Sequence, residues 1–328
     1  MNAVAYSVKS FEKEFLQKAN HIKHDISMVE KSLDIDSVIY ARGKDTVIVF
    51  TNDNVSAPVI EKLAELGVKY IATRSVGTDH IDKEAAHRFG ISISNVPSYS
   101  PQAIAEHTLS LAFALNRKII LANTQVHSFD FRNEDLIGFN FSGKTVGIIG
   151  LGHTGRATAN IFLGMGSRVI GFDLYLPENF SHIQMVGLET LLKLSDIISL
   201  HLPLNAGTRH FLDKTKFDLM KKGVMLINTS RGPIIDTRDL IGALDQGIIG
   251  YLGLDVYEFE KGLFFEDHEH DRKKDPLLEK LLSYPNVLIT PHQAYLTKEA
   301  LDEIAQQTIR NLDIWQEEKD RKLALSIH

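Results

Sequence analysis

The sequence predicts an α/β protein of two doubly wound parallel-sheet domains, on three observations. Short apolar runs of strand length alternate with amphipathic helical stretches along nearly the whole chain, as parallel βαβ units require. At 328 residues the chain can fill two domains with cores of their own. Near its middle, Thr145 to Arg156 reads T-V-G-I-I-G-L-G-H-T-G-R, a strand that runs through closely spaced glycines into a helix.

Composition excludes several classes. With 44% hydrophobic and 24% charged residues the chain is an ordinary globular one, and its net charge of -6 argues against nucleic acid or an anionic membrane as the main partner. The absence of cysteine removes disulfides, thiolate catalysis and cysteine-ligated zinc, and is compatible with a reducing cytoplasm. Met1-Asn-Ala-Val-Ala-Tyr reads as a short strand rather than a signal peptide, and no apolar run reaches bilayer-spanning length, so a cytoplasmic protein is expected.

Taken in order, strands at Val4 to Ser7, Asp25 to Val29, Thr46 to Phe50 and Lys69 to Ala72 alternate with helices at Phe11 to Ala19, Pro58 to Leu66 and Ile81 to Phe89. Gly67 and Gly90 end the last two helices as C-caps. Asn95-Val-Pro-Ser-Tyr-Ser-Pro then marks a crossing into a second domain, with Ser100 as an N-cap and Pro101 at the first helical position. From Ala103 to Gln125 the chain reads as one long helix, apolar nearly all round and almost without a breaker, hence either buried core or a subunit interface.

In the glycine stretch, Val146, Ile148 and Ile149 form the strand, and Gly150, Gly152 and Gly155 follow at G-x-G-x-x-G spacing. The first glycine permits the turn, the second lets a pyrophosphate approach the backbone, and the third lets helix and strand pack closely. Arg168-Val-Ile-Gly-Phe is the next strand, and Asp173 ends it roughly twenty residues on, where a carboxylate accepts from an adenosine ribose. Together these make a Rossmann-type dinucleotide domain of residues 100–296. Residues 1–99, rejoined by the amphipathic helix within 297–328, form a flavodoxin-like substrate domain with a discontinuous boundary.

Later strands end in polar groups: Asp196 to Leu200 in His201, Val224 to Ile227 in Asn228-Thr-Ser-Arg-Gly, Tyr251 to Leu254 in Asp255-Val-Tyr-Glu, and Val287 to Ile289 in Thr290-Pro-His. Ligands bind outside the carboxyl ends of open parallel sheets, so Asp173, His201, Arg231, Asp255 and His292 reach one edge. A lone histidine there is commonly a structural donor and a lone arginine a surface charge; their convergence in a dinucleotide domain favours an active site. His292 is the best-placed proton carrier. Its partner is Glu258 or Glu260, because a carboxylate beside an imidazole favours the imidazolium and fixes the ring; the residues alone do not choose. Arg231 offers a permanent positive fork to a substrate carboxylate. Histidines His268 and His270 lie in a charge run and lack helical spacing, so no metal is expected.

Over essentially its whole length the sequence resembles the D-2-hydroxyacid dehydrogenase family, in its D-lactate dehydrogenase branch. The runs that carry the resemblance are Thr73-Arg-Ser-Val-Gly-Thr-Asp-His-Ile-Asp, Asn95-Val-Pro-Ser-Tyr-Ser-Pro, the glycine motif, His201-Leu-Pro-Leu, Asn228-Thr-Ser-Arg-Gly-Pro, Asp255-Val-Tyr-Glu-Phe-Glu and Thr290-Pro-His-Gln-Ala-Tyr. The resemblance implies NAD-dependent reduction of pyruvate to D-lactate. Arg231 would bind the keto acid's carboxylate and polarise its carbonyl, His292 would donate the proton, and Glu260 would pair with His292. Val76 and Gly77 would hold the carboxylate through backbone amides, and Tyr99 would border the substrate. The pyrophosphate falls to the amides of His153 and Thr154 in the Gly150, Gly152 and Gly155 turn, and the ribose to Asp173. Leu202, Pro203 and Thr208 would line the adenosine side, and Thr229, Ser230 and Asp255 complete the cofactor set toward the nicotinamide.

No arginine follows Asp173, which favours NAD over NADP. Phe259 stands where the branch usually has glycine, and Thr154 where isoleucine is frequent. The apolar helix also leads to the expectation of a homodimer through the NAD domain, including the helix 101–125. Phe50, Tyr99 and Tyr295 are candidate aromatic walls for a small pocket, with closure hinged at Val96 to Ser100 and Thr290 to Thr297. A bulkier 2-keto acid such as 2-ketoisocaproate or phenylpyruvate is the alternative substrate. From another class, an NAD-sensing corepressor-like binding protein would bind NADH with little turnover. Glu260 argues against a formate dehydrogenase relative, which has glutamine there.

Overall fold

The computed structural model describes residues 1–175, 183–271 and 274–325. Two compact units divide the chain: Met1–Ser100 joined by the chain from Leu296 onward, and Pro101–Tyr295.

In the first unit, β1 (Asn2–Ala5), β2 (Asp25–Met28), β3 (Thr46–Val49), β4 (Tyr70–Thr73) and β5 (Ser92–Ser94) form a parallel sheet in the order β2-β1-β3-β4-β5. This is the flavodoxin-like order, whose direction reverses between β1 and β3. Helices α1 (Ser10–Asn20), α2 (Ala57–Glu65) and α3 (Lys83–Arg88) cover it. Their limits have local causes. Pro58 lies in the first turn of α2, Gly67 follows it at φ +93°, Asp82 caps α3 by accepting from Ala85 N–H at 2.9 Å, and Gly90 follows α3 at φ +66°. The capping explains why α3 starts two residues later than apolar periodicity suggests: Asp82 is the cap, and Ile81 before it is buried. β3 is buried at every position, whereas β2, on the edge, alternates exposed with half-buried residues.

In the second unit, α4 (Pro101–Asn116) and α5 (Ile119–His127) precede β6 (Thr145–Ile149), α6 (His153–Gly164) and β7 (Arg168–Phe172). Then follow β8 (Gln184–Met185), α7 (Leu188–Leu194), β9 (Ile197–Leu200), α8 (Lys214–Phe217), β10 (Val224–Asn228), α9 (Thr237–Asp245), β11 (Ile249–Leu254), α10 (Pro276–Leu282) and β12 (Val287–Ile289). Among the described residues these strands make a parallel sheet in the order β12-β11-β10-β9-β6-β7-β8. Strand order reverses between β6 and β9, so the loops after these two strands flank the crevice where an α/β sheet takes its ligand. β9 and β10 are buried throughout, sandwiched by helices on both faces.

The continuous helix expected over 101–125 is instead two. Asn116 is buried, and its side chain exchanges hydrogen bonds with Phe139, donating to its carbonyl at 2.7 Å and accepting from its amide at 2.8 Å. Lys118 then turns left-handed at φ +48° and sends its ammonium to the Asp135 carbonyl. A tertiary anchor, not a local breaker, ends α4. The two halves differ in burial: α4 buries Leu109, Leu111, Ala112 and Leu115, whereas α5 has no buried residue.

The last helix, α11 (Lys298–Leu325), extends beyond the amphipathic stretch and returns to the first unit. Its Ala305, Leu312 and Trp315 join Ala3, Ala5, Ile48 and Ala72 in one core cluster, and Trp315 packs on Tyr70 with ring centroids 4.7 Å apart.

Candidate active site

The glycine turn begins where β6 stops. Gly150 has φ +93°, and a Cβ there would lie 2.4 Å from the His201 carbonyl oxygen. At Gly155 a Cβ would lie 1.9 Å from the Gly150 carbonyl oxygen, so neither position accepts a side chain. Gly152 is different: nothing lies within 4 Å of the space its Cβ would fill. That open space adjoins the first turn of α6, where the amides of His153, Thr154 and Gly155 have no acceptor within the helix. The cradle fits a pyrophosphate. Asp173 stands beside it, its Oδ2 accepting from Leu151 N–H at 2.6 Å and its Oδ1 from Tyr175 N–H at 3.0 Å.

Across the crevice, the loop after β9 carries His201, Leu202 and Pro203. His201 keeps some accessible surface, yet its ring is embedded deeply enough that burial pushes its pKa down to about 3, and Nε2 meets Ser199 Oγ at 2.9 Å. Thr208 closes this loop on itself, donating its hydroxyl to the Pro203 carbonyl at 2.6 Å and accepting from Asn205 N–H at 2.9 Å.

At the end of β10, buried Asn228 shapes the next loop. Its Oδ1 accepts from Ser230 N–H at 3.0 Å and Oγ at 2.7 Å, and its Nδ2 donates to the Arg231 carbonyl at 2.9 Å. Thr229 Oγ1 lies 2.9 Å from Thr108 Oγ1 of α4. Arg231 follows in extended conformation, its guanidinium donating to the Ser230 carbonyl at 2.8 Å.

Asp255 is fully buried beyond β11 and carries the loop that holds His292. One oxygen accepts from the Thr290 hydroxyl at 2.6 Å and Gln293 N–H at 2.9 Å; the other accepts from Ala294 N–H at 2.8 Å. His107 of α4 adds Nε2 at 3.0 Å from Thr290 Oγ1 and 3.3 Å from the carboxylate. Within this frame His292 takes φ +54°, a left-handed conformation uncommon for a residue with a Cβ, that the surrounding bonds maintain. Its Nδ1 lies 3.0 Å from Glu260 Oε1, and its ring packs on Phe265 at 5.7 Å. Glu260 Oε2 accepts from Tyr257 N–H at 2.9 Å.

The geometry separates the two glutamates. Glu258 meets His210 Nε2 at 2.6 Å and Thr237 N–H at 3.0 Å, so Glu260 is the one beside His292. Phe259 between them is exposed and packs edge-on against Tyr257.

In the first unit, Val76 is exposed in the loop after β4. Asn95 Nδ2 donates to its carbonyl at 2.7 Å, and Ser75 Oγ donates to the Gly77 carbonyl at 2.7 Å. The bond to the Val76 carbonyl sets the Gly77 amide, and the Ser75 carbonyl, accepting from Val96 N–H at 3.1 Å, sets the Val76 amide. Phe50 is buried under the Arg74 guanidinium at 5.2 Å, Tyr295 of the second unit is buried, and Tyr99 is half-buried.

Residue-by-residue reading missed His107, and found Asn228 and Thr290 only as members of motifs. Their signal is thin: His107 is one polar position in an apolar helix, and its value appears only once Thr290 stands against it.

A parallel sheet with an open glycine cradle at its switch point, a carboxylate beside the cradle, and an arginine and a carboxylate-paired histidine on later loops defines a nicotinamide-dependent oxidoreductase. Comparison with known proteins narrows the class. Residues 109–294 match the model of the D-isomer specific 2-hydroxyacid dehydrogenase NAD binding domain. The chain is 41% identical over 315 residues to the D-lactate dehydrogenase of Escherichia coli strain K12, covering 95% of this chain and 96% of that protein. Among solved structures, the pyruvate reductase of Chlamydomonas reinhardtii superposes with a TM-score of 0.88 at 42% identity, covering 95% of each chain. The Aquifex aeolicus D-lactate dehydrogenase, solved with NAD and lactic acid, superposes at 0.87 with 30% identity over 98% of each. The chain belongs to the D-isomer specific 2-hydroxyacid dehydrogenases, and its cofactor is NAD.

Proposed function

We propose that the protein is a D-lactate dehydrogenase that reduces pyruvate to D-lactate with NADH. The observation that carries this reading is the Glu260–His292 pair, 3.0 Å apart, on the sheet whose other loops bear Arg231 and the glycine cradle. NADH supplies the hydride to the keto carbon when bound. The chain's own groups hold the substrate and move one proton. Arg231 binds the carboxylate and polarises the carbonyl with a charge that it does not lose. The amides of Val76 and Gly77 bind the same carboxylate, and Tyr99 borders the substrate. Because Nδ1 of His292 is turned to Glu260, Nε2 is the nitrogen that gives its proton to the carbonyl oxygen. Glu260 fixes the ring and balances its charge.

For the cofactor, the amides of His153 and Thr154 with Gly150, Gly152 and Gly155 hold the pyrophosphate, and Asp173 the ribose. Leu202, Pro203 and Thr208 line the adenosine side; Thr229, Ser230 and Asp255 serve the nicotinamide end. These roles make residues 100–296 the cofactor domain and the rest the substrate domain.

We further infer a homodimer through the second unit. The support is α5 and the chain after it, where Ile119, Ile120, Leu121, Val126, Phe129 and Phe131 are all exposed within thirteen residues, the kind of apolar clustering that marks an interaction surface. Among the described residues no helix is long and apolar enough to cross a membrane, and with a cysteine-free chain this supports a cytoplasmic location.

The test is NADH oxidation with pyruvate, 2-ketoisocaproate and phenylpyruvate. Pyruvate is expected to have the highest kcat/KM; preference for a bulkier acid would move the protein to a sister specificity, and no turnover with any would end the reading. Sedimentation equilibrium should give twice the chain mass, and a monomer would refute the dimer.

A further inference from the structure

Beside the Glu260 loop lies a charge cluster with no part in the chemistry above. Glu258 is nearly buried, with a side chain 6% exposed, so its carboxylate must be compensated locally. His210 Nε2 meets Oε1 at 2.6 Å, and Thr237 N–H donates to Oε2 at 3.0 Å from the first residue of α9. His210 is itself constrained. It has φ +51°, its amide donates to the Pro233 carbonyl at 2.8 Å, and its Nδ1 lies 3.5 Å from Asp236, the N-cap of α9.

What this cluster immobilises is the peptide joining Tyr257 to Glu258. Two functional groups take their position from that peptide and from the one before it, which ends in Tyr257 N–H. Gly232, next to Arg231, packs so closely that a Cβ on it would lie 2.1 Å from the Tyr257 carbonyl oxygen and 2.5 Å from Glu258 N. On the other side, Glu260 Oε2 accepts from Tyr257 N–H while Oε1 meets His292. The Arg231 turn and the Glu260 carboxylate are therefore registered against one short stretch of backbone, and Glu258 anchors it.

We propose that His210 and Glu258 form a clasp that positions Arg231 and Glu260–His292 relative to one another. The clasp touches neither substrate nor cofactor; it acts through the loop. This inference rests on the roles given to Arg231, Glu260 and His292 above, and its experiment has a readout independent of turnover.

In the full-length protein, His210→Ala removes the donor from a half-exposed site, and His210→Gln restores an amide that can reach the same oxygen. His210→Ala is expected to lower kcat roughly 10- to 100-fold, as displacement of reacting groups by an ångström does, and to raise the keto-acid KM. NADH affinity should stay within about twofold. The alkaline limb of the kcat/KM pH profile for keto-acid reduction, where the proton donor is lost, and the NMR titration of the His292 ring in NADH-free protein should both shift in the alanine variant. In His210→Gln both should return toward wild type. If His210→Ala lowers the melting temperature but leaves kcat, keto-acid KM and the His292 titration at wild-type values, the pair is only structural and the proposal is overturned. If wild-type protein reduces no keto acid, the assigned function fails, while the His292 titration still decides whether the clasp sets that ring.

Discussion

His292 and His201 both follow the carboxyl end of a strand in one sheet, yet the fold surrounds them differently. His292 faces Glu260 at 3.0 Å and sits in a loop that Asp255 ties down with three hydrogen bonds. His201 meets a serine hydroxyl instead, and burial holds its pKa at about 3, so it stays neutral throughout the physiological range. Its backbone and Cβ form the wall against which Gly150 and Gly155 pack. A strand end delivers a histidine to the ligand edge; the carboxylate beside it decides whether it can manage a proton.

The sharpest way to break this contrast is at His292. His292→Asn should lower kcat by roughly 10²–10⁴ with NADH affinity preserved, as for loss of a general acid. Fluorescence titration with NADH alongside steady-state kinetics checks it, and an equal loss of cofactor binding would show the residue to be misassigned. Next, Arg231→Gln should cost about 3–4 kcal/mol in transition-state stabilisation, comparable to removing an oxyanion donor. Kinetics unchanged with pyruvate would sink that role.

A smaller effect is expected at Asp255. Asp255→Asn places an amide where a carboxylate oxygen now accepts, so His292 should loosen and kcat fall by about 10- to 100-fold. A crystal structure of the variant with residues 290–294 unmoved and activity intact would contradict this.

The smallest effect on turnover belongs to His201. Its folded pKa is depressed from 6.5 to about 3, so below 6.5 the unfolded chain binds the proton and the native state resists it. The stability that its neutrality contributes is complete above 6.5 and is lost as the pH falls through that window toward 3. His201→Gln should therefore keep kcat within about threefold of wild type and flatten the decline of unfolding free energy between pH 7 and pH 5 seen in urea titrations. An unchanged slope would exclude His201 as its source.

Much of the architecture was legible because its signals are local. Gly67 and Gly90 end helices, Pro101 starts one, and the glycine motif needs only a strand before it and a helix after it. The break at Lys118 was illegible because it depends on Asn116 bonding to Phe139, a contact across 23 residues that no local propensity records. The three aromatic candidates show the same limit: Phe50 is buried under Arg74, a fact of how β3 and β4 adjoin.

By itself the sequence determined the α/β class, the cofactor cradle and the short set of polar residues at strand ends. These follow from hydrophobic period, glycine spacing and the rule that parallel sheets present their carboxyl ends on one edge. Hydrophobic period and residue type left Glu258 and Glu260 equal; the family resemblance implied Glu260, and the tertiary structure supplies the physical reason. Both glutamates occupy one loop two positions apart, and local chemistry alone weighs them equally. The distinction arises because His210 and Thr237, from other parts of the chain, occupy Glu258, while the loop held by Asp255 brings His292 to Glu260.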